Sequence, residues 1–198
     1  MTNYIEELSV YFGENKNYFP KPTTRRYFGK YPFCVNFHHG LPDSKHEEIL
    51  KYLETAKGSF YRMRNRVFFE TYDDIASFVS VFSDDCSGYN APRTQQHLDC
   101  LYDGDLDVEI RESYFWGQYR YLVKLKNSAE ADTKSDRFYD TYLQHLNVDE
   151  FPYSRLHYSH DSDGHTLYLN NYDDLVFIKV GLGEYIQKIK KAIKEEDI

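Results

Sequence analysis

The chain has 198 residues, a net charge of −8 and 18% aromatic residues, 20 of them Tyr and 14 Phe. Such a length supports a hydrophobic core without disulfide or metal staples. The acidic balance excludes a featureless nucleic-acid coat, which would depend on neutralising phosphates.

Residues 1–25 read as an N-terminal segment without the basic and apolar regions of a secretion signal. No apolar run approaches the roughly 20 residues of a membrane helix. Three cysteines, Cys34, Cys86 and Cys100, cannot all pair within one chain, which points to a reducing compartment. A cytoplasmic protein with no membrane partner is expected.

Tyr31, Phe33, Val35 and Phe37 alternate with Pro32, Cys34, Asn36 and His38, the pattern of a strand with one buried face. A helix follows: Ser44 with Glu47 fits a capping box, Ile49, Leu50, Tyr52 and Leu53 form its apolar face, and Gly58 closes it. Ser59 to Glu70 reads as a hairpin turning near Arg64-Asn65. Tyr72-Asp73-Asp74 then opens an amphipathic helix carrying Ile75, Phe78, Val79 and Phe82. Ser83 to Asp105, rich in Asp, Gly and Ser, reads as a connector, and Leu106 to Arg111 as a closing strand.

The series then restarts. Tyr119, Tyr121, Val123 and Leu125 alternate, and Asp136 caps a helix with Phe138, Tyr142, Leu143 and Leu146 on one face. Ser154 to Asn170 is a hairpin around Asp161-Ser162-Asp163-Gly164. Leu175 to Leu182 fits a strand as well as a helix. In the tail, Ile186, Ile189, Ala192 and Ile193 keep helical spacing, with Lys188, Lys190, Lys191 and Lys194 outside.

Two echoes tie these halves together. Tyr27-Phe28-Gly29 through Phe37 matches Tyr114-Phe115-Trp116-Gly117 through Leu125 when Trp116 is treated as an insertion. Val67 to Ile75 faces Leu167 to Leu175, with Tyr-Asp-Asp in both. Both echoes keep the same order, so a duplication is expected. The repeat favours a helix at 175–182. Strand, helix, hairpin, helix and strand is the ferredoxin-like order. The expected fold is α+β, with two tandem diverged ferredoxin-like (β-α-β-β-α-β) repeats packed as one body. Residues 26–112 would form repeat 1 with its connector, and 113–198 repeat 2 with a C-terminal helix.

Arg66-Val67-Phe68-Phe69-Glu70 before an amphipathic helix resembles the third strand of RRM-type RNA-binding domains, though without their Gly-aromatic-Gly/Ala-aromatic core. That resemblance implies bases stacked on sheet aromatics, with Arg62, Arg64 and Arg66 on phosphates. His157-Tyr158-Ser159 resembles one motif of the two-histidine phosphoesterases, which need a second His. Its counterpart around Tyr61-Arg62-Met63 has none, and His38 and His39 lack the third-position hydroxyl. Cys86, His97, Asp99 and Cys100, and His157, His160 and His165 beside Asp161 and Asp163, lack a specific metal spacing. Asp73-Asp74 and Asp173-Asp174 fit helix starts, where carboxylates meet the positive dipole end.

The expected function is that of a non-enzymatic interaction protein without cofactor or metal, acting through a protein partner or self-association. A single-stranded RNA or DNA binder is the alternative, and a phosphoesterase the second alternative. A tyrosine-rich acidic chain of this size has the look of a bacteriophage-encoded accessory or virion protein, which would place it in host cytoplasm or virion. Trp116 is the expected protein anchor, since Trp, Tyr and Arg dominate hot spots. A nucleic-acid face would require Arg62, Arg64, Arg66, Arg120, Lys124 and Lys126 to converge.

Overall fold

The computed structural model describes residues 3–13, 18–104, 106–126, 137, 156–161 and 164–198, with backbone alone for 156–161 and 164–165. The chain divides into two compact units, Met1–Tyr102 and Asp103–Ile198. Each contains a five-stranded sheet.

In the first unit, helix α1 (Tyr4–Ser9) continues as a 3-10 turn, Val10–Phe12, before strand β1 (Phe19–Pro22). Then come β2 (Phe33–Phe37), α2 (Asp43–Thr55), β3 (Phe60–Met63), β4 (Arg66–Phe69), α3 (Tyr72–Phe82), β5 (Cys86–Ala91) and α4 (Gln95–Cys100). The sheet order is β1-β5-β2-β4-β3, antiparallel except where β1 runs parallel to β5. The second unit has β6 (Asp107–Arg111), β7 (Tyr121–Leu125), β8 (Leu156–Asp161), β9 (Gly164–Leu169), α5 (Tyr172–Leu182) and β10 (Ile186–Lys194). Its order is β6-β10-β7-β9-β8, with β6 parallel to β10.

The two sheets agree residue by residue. Val35 lies between Val67 and Tyr89, and Val123 between Leu167 and Ile189. Both units bulge at the same place, between Asn36 and Phe37 in one pairing and between Ile186 and Lys188 in the other. Such agreement in register is far more specific than shared strand order, because a one-residue slip would send every side chain to the opposite face. Equivalent helices start alike: Thr71 and Asn171 accept from the backbone N–H of Asp74 and Asp174 at 3.2 and 2.8 Å. The paired aspartates therefore lie in a first helical turn in both units, as expected.

Several expectations are corrected. Trp116 is not an insertion: the bridges Tyr27↔Tyr31 and Phe115↔Tyr119 align Phe28 with Trp116 and Gly29 with Gly117. Leu106 to Arg111 does not close the first sheet but joins the second as β6, and the boundary falls at Tyr102 rather than at residue 112. The first sheet closes with β5, inside the supposed connector, and takes β1 from the supposed N-terminal segment. Gly88 and Asn90 disguise β5, since both are poor strand formers. The tail is a strand rather than a helix. Its alternation is blurred because β10 carries a bulge, buries Ala192 against Phe115 and Tyr119 on the helix-free face, and half-buries the stems of Lys190 and Lys191. Helix α2 starts after Pro42 with no side-chain cap and ends at Ala56, so the Ser44–Glu47 box and the Gly58 stop do not form. The helix expected after Asp136 lies outside the described residues.

One face of each sheet carries the helices. Phe33, Val35, Phe37, Val67 and Phe69 join Ile49, Leu53, Ile75, Phe78, Val79 and Phe82 in one buried cluster. Tyr121, Val123, Leu125, Leu167 and Leu169 join Leu175, Ile178 and Leu182 in the other. The opposite faces, without helices among the described residues, carry the polar and exposed aromatic side chains.

Candidate functional site

The helix-free face is read from register. In the first unit Cys34, Asn36, Tyr61, Met63, Arg66, Phe68, Asn90, Phe19 and Lys21 share it, since cross-strand partners point the same way. A hairpin made by Tyr27–Tyr31 folds over part of this face. At its tip Phe28 has φ 54° and Gly29 φ 71°, so the ring is thrown across the sheet. Phe28 packs edge-on against Phe68 at 5.1 Å and Tyr61 at 4.7 Å, with Tyr27 5.1 Å from Phe68. Beneath, Phe68 and Cys34 are buried, and burial pushes the Cys34 thiol up to about 12.

The second unit repeats the device. Trp116 has φ 52° and Gly117 φ 76°, and the indole lies edge-on to Tyr168, the Phe68 equivalent, at 6.2 Å. Phe28 is 59% exposed and Trp116 72%, so each unit presents one ring to solvent at the same place. Phe115 and Tyr119 pack with Ala192 below.

Beside the first hairpin lies an open groove of about 340 Å³ lined by Phe19, Lys21, Tyr27, Asn36, Phe37, His39, Asn65, Arg66, Ser87, Gly88 and Asn90. Asn36 donates its side-chain amide to Asn90 Oδ1 at 3.3 Å. Burial pushes the Tyr27 hydroxyl up to about 12, against the pull of Arg66 and Arg25, so the ring stays neutral. No carboxylate occurs among the groove's described lining residues, in a chain of net charge −8.

The corresponding face of the second unit holds Lys124, Lys188, Lys190, Lys194, Arg111 and Arg120, but carboxylates of β6 intervene. Lys188 meets Asp107 at 2.5 Å, and Lys190 and Arg111 meet Glu109 at 2.5 and 3.1 Å. Burial pushes the Glu109 carboxyl up, but its bonds to Lys190 and Arg111 outweigh this and hold it below the ordinary glutamate value. A depressed carboxylate stabilises the fold above its unfolded pKa, and that contribution is lost as pH falls through the folded value. Glu109→Gln is therefore expected to lower stability at pH 7 by about 1–3 kcal/mol. The difference from wild type should shrink as pH falls below about 4. Thermal melts across pH test this, and a pH-independent difference would sink it.

The expected basic set divides. Arg66 lines the first groove, while Arg62 points to the helix side and donates to His46 Nδ1 at 3.0 Å. Arg64 sits exposed in the β3–β4 turn at φ 53°. Arg120 lies over the Tyr114 ring at 5.2 Å, Lys124 is half-buried on β7, and Lys126 donates to the Glu184 carbonyl at 2.6 Å. Sequence reasoning missed Lys21, Asn36, Asn90 and Phe28. Aligning Phe28 directly with Trp116 would have found the last.

His157 pairs with Tyr168 as Tyr61 pairs with Phe68, so Tyr61 occupies its place in the first unit. The side chains of His157, His160 and His165, and residue 163, lie outside the description. His97 is buried, with Nδ1 accepting from Arg93 N–H at 3.2 Å and Nε2 against the Thr23 carbonyl at 2.7 Å, so neither nitrogen is open to a metal. Cys86 donates to the Phe82 carbonyl at 3.0 Å. Among the described residues no three His, Cys, Asp or Glu gather as metal ligands, and no helix is long and apolar enough to cross a membrane. Comparison with protein-family models, curated proteins and solved structures finds no match.

Proposed function

We propose that this chain is a binding protein built from two diverged ferredoxin-like units, each extended by a parallel edge strand, and that it binds single-stranded nucleic acid on the helix-free face. The observation that carries this reading is the first unit's groove. It combines Lys21, Arg66 and His39 with side-chain amides and the rings of Phe19 and Tyr27, and no described lining carboxylate opposes them. Cations that track phosphates beside rings on which bases stack are what single-strand binding requires. The RRM resemblance supports the same face, with one difference of detail. Phe68 is covered by the hairpin, so the rings that the first unit offers to bases are Phe19, Tyr27 and Phe28 rather than the central-strand aromatic.

The test is fluorescence anisotropy with labelled 12-nucleotide single-stranded RNA and DNA at about 50 mM salt, where phosphate contacts are strong. Wild type is expected to bind with an affinity that falls steeply with added salt. Lys21→Glu combined with Arg66→Glu should weaken binding at least tenfold, whereas Lys45→Glu on α2 should not. Absence of binding to either polymer would refute the reading.

A second reading is that of a phage accessory or virion protein working through protein contacts. It is favoured by Trp116, whose exposure is unusual for the largest apolar side chain.

A further inference from the structure

Among the described residues, the second unit has no helix equivalent to α1. In the first unit α1 and its 3-10 continuation place Tyr4, Leu8 and Phe12, four residues apart, into the main cluster with Phe33, Tyr72, Val79, Tyr89 and Ala91. The Tyr4 ring is the wedge, 5.9 Å from Phe33 and 5.0 Å from Tyr72, two rings that are themselves 6.4 Å apart. Tyr89 reinforces the seat by donating its hydroxyl to the Ile5 carbonyl at 2.5 Å.

Register assigns the equivalents in the second unit. Phe33 corresponds to Tyr121, Tyr72 to Tyr172, Val79 to Lys179 and Ala91 to Lys191. These four residues, with Asp103, Gly104 and Leu106, line an open cavity of about 480 Å³. Tyr121 and Tyr172 stand 6.4 Å apart, the spacing of the pair that grips Tyr4. A six-residue helix precedes β6 in the chain. That helix, α4, belongs to the first unit, where His97 is tied to Thr23 and the Thr94 cap bridges to Asn3.

The uncovered flank of α5 is apolar where α3 is small or polar. Val176 replaces Ala76 and Val180 replaces Ser80, and they are 42% and 82% exposed, on the side of α5 that carries Tyr172. Exposed β-branched and aromatic residues grouped on one helix flank mark an interaction surface.

We propose that this cavity and the adjoining flank of α5 take a short amphipathic helix of a protein partner, seated as α1 is seated in the first unit. The occupant carries large apolar side chains at i, i+4 and i+8, the first an aromatic that enters between Tyr121 and Tyr172. Lys179 stands where the first unit has Val79, and Lys191, ion-paired with Asp103, where it has Ala91. The second seat is thus more basic than the first and selects a helix with carboxylates beside its apolar stripe. Helix α1, with Glu6 and Glu7, already has that chemistry. This inference concerns a different face from the nucleic-acid groove, and neither depends on the other.

The chain supplies its own probe. A helix-constrained peptide of residues 3–13, labelled at its C-terminus, is titrated with the full-length protein by anisotropy. Saturable binding is expected, weakened at least tenfold by Val176→Asp and by Lys179→Glu in the protein, and by Tyr→Ala at the peptide position of Tyr4. Thermal melts establish that both protein variants remain folded, because their side chains lie on an exposed flank and at a cavity rim. Binding that both variants leave unchanged would overturn the proposal, since the peptide would then be exchanging with α1 in the first unit. No binding by the wild type would also overturn it. A concentration-dependent dimer in light scattering, lost with Val176→Asp, would overturn it in favour of a second copy of the chain.

Discussion

Phe78→Ala is expected to cost the first unit about 3–5 kcal/mol, the loss found when a large buried ring leaves a cavity that cannot collapse. Phe78 is fully buried at the centre of an aromatic cluster, with ring centroids of Phe82 at 4.9 Å, Phe69 at 5.2 Å, Tyr52 at 5.7 Å and Phe37 at 5.9 Å. These neighbours come from both strands and helices, so no single element can move in to fill the space. Rigid rings also relax less well than aliphatic chains, which places this site toward the upper end of the range. The chain's single Trp, Trp116, lies in the second unit, so its fluorescence reports on that unit while far-UV circular dichroism reports on both. Urea unfolding should show an early dichroism loss that Trp fluorescence does not follow. A destabilisation below about 1 kcal/mol would mean that Phe78 is not the centre of the core.

Gly88→Ala is expected to have the second largest effect, through the backbone rather than a cavity. A Cβ at Gly88 would stand 2.5 Å from the Phe19 carbonyl oxygen and 3.0 Å from its amide nitrogen. Both are backbone atoms of β1, held by parallel pairing from Phe19 to Pro22, so the strand must shift as a whole. Overpacking of this kind typically costs about 1–3 kcal/mol. Because Phe19 and Lys21 line the groove, the same substitution should also weaken the proposed nucleic-acid binding. By register the equivalent residue in the second unit is Lys188, and among the described residues β6 pairs with β10 from Lys190 onward. Amide hydrogen exchange of β1 residues, read with a thermal melt, tests the account. Unchanged exchange and an unchanged Tm would sink it.

The candidate site was legible only in part. Arg66, Arg120 and Lys124 could be placed on sheet faces from alternation in their own strands. Arg62 alternates with the same period, yet it serves α2, because which face of a sheet takes the helices is set by the long-range pairing of β3 with β4 and β4 with β2. Lys21 and Asn90 come from segments that look irregular in isolation. They meet only because β1 pairs with β5.

What the sequence determined by itself was local and periodic. The alternation of Phe33, Val35 and Phe37 makes β2, the 3.6-residue stripe of Ile75, Phe78, Val79 and Phe82 makes α3, and Tyr-Asp-Asp opens a helix at both Tyr72 and Tyr172. These signals need no distant partner, since each follows from one face being dry. Tertiary structure decided the rest. It made Ile186–Lys194 a strand despite helical spacing, gave β6 to the second sheet, and left in that unit a seat that α1 fills in the first. Strand pairing joins residues far apart in the chain, and a strand with a bulge and lysine stems half-buried loses the two-residue period by which it could have been read.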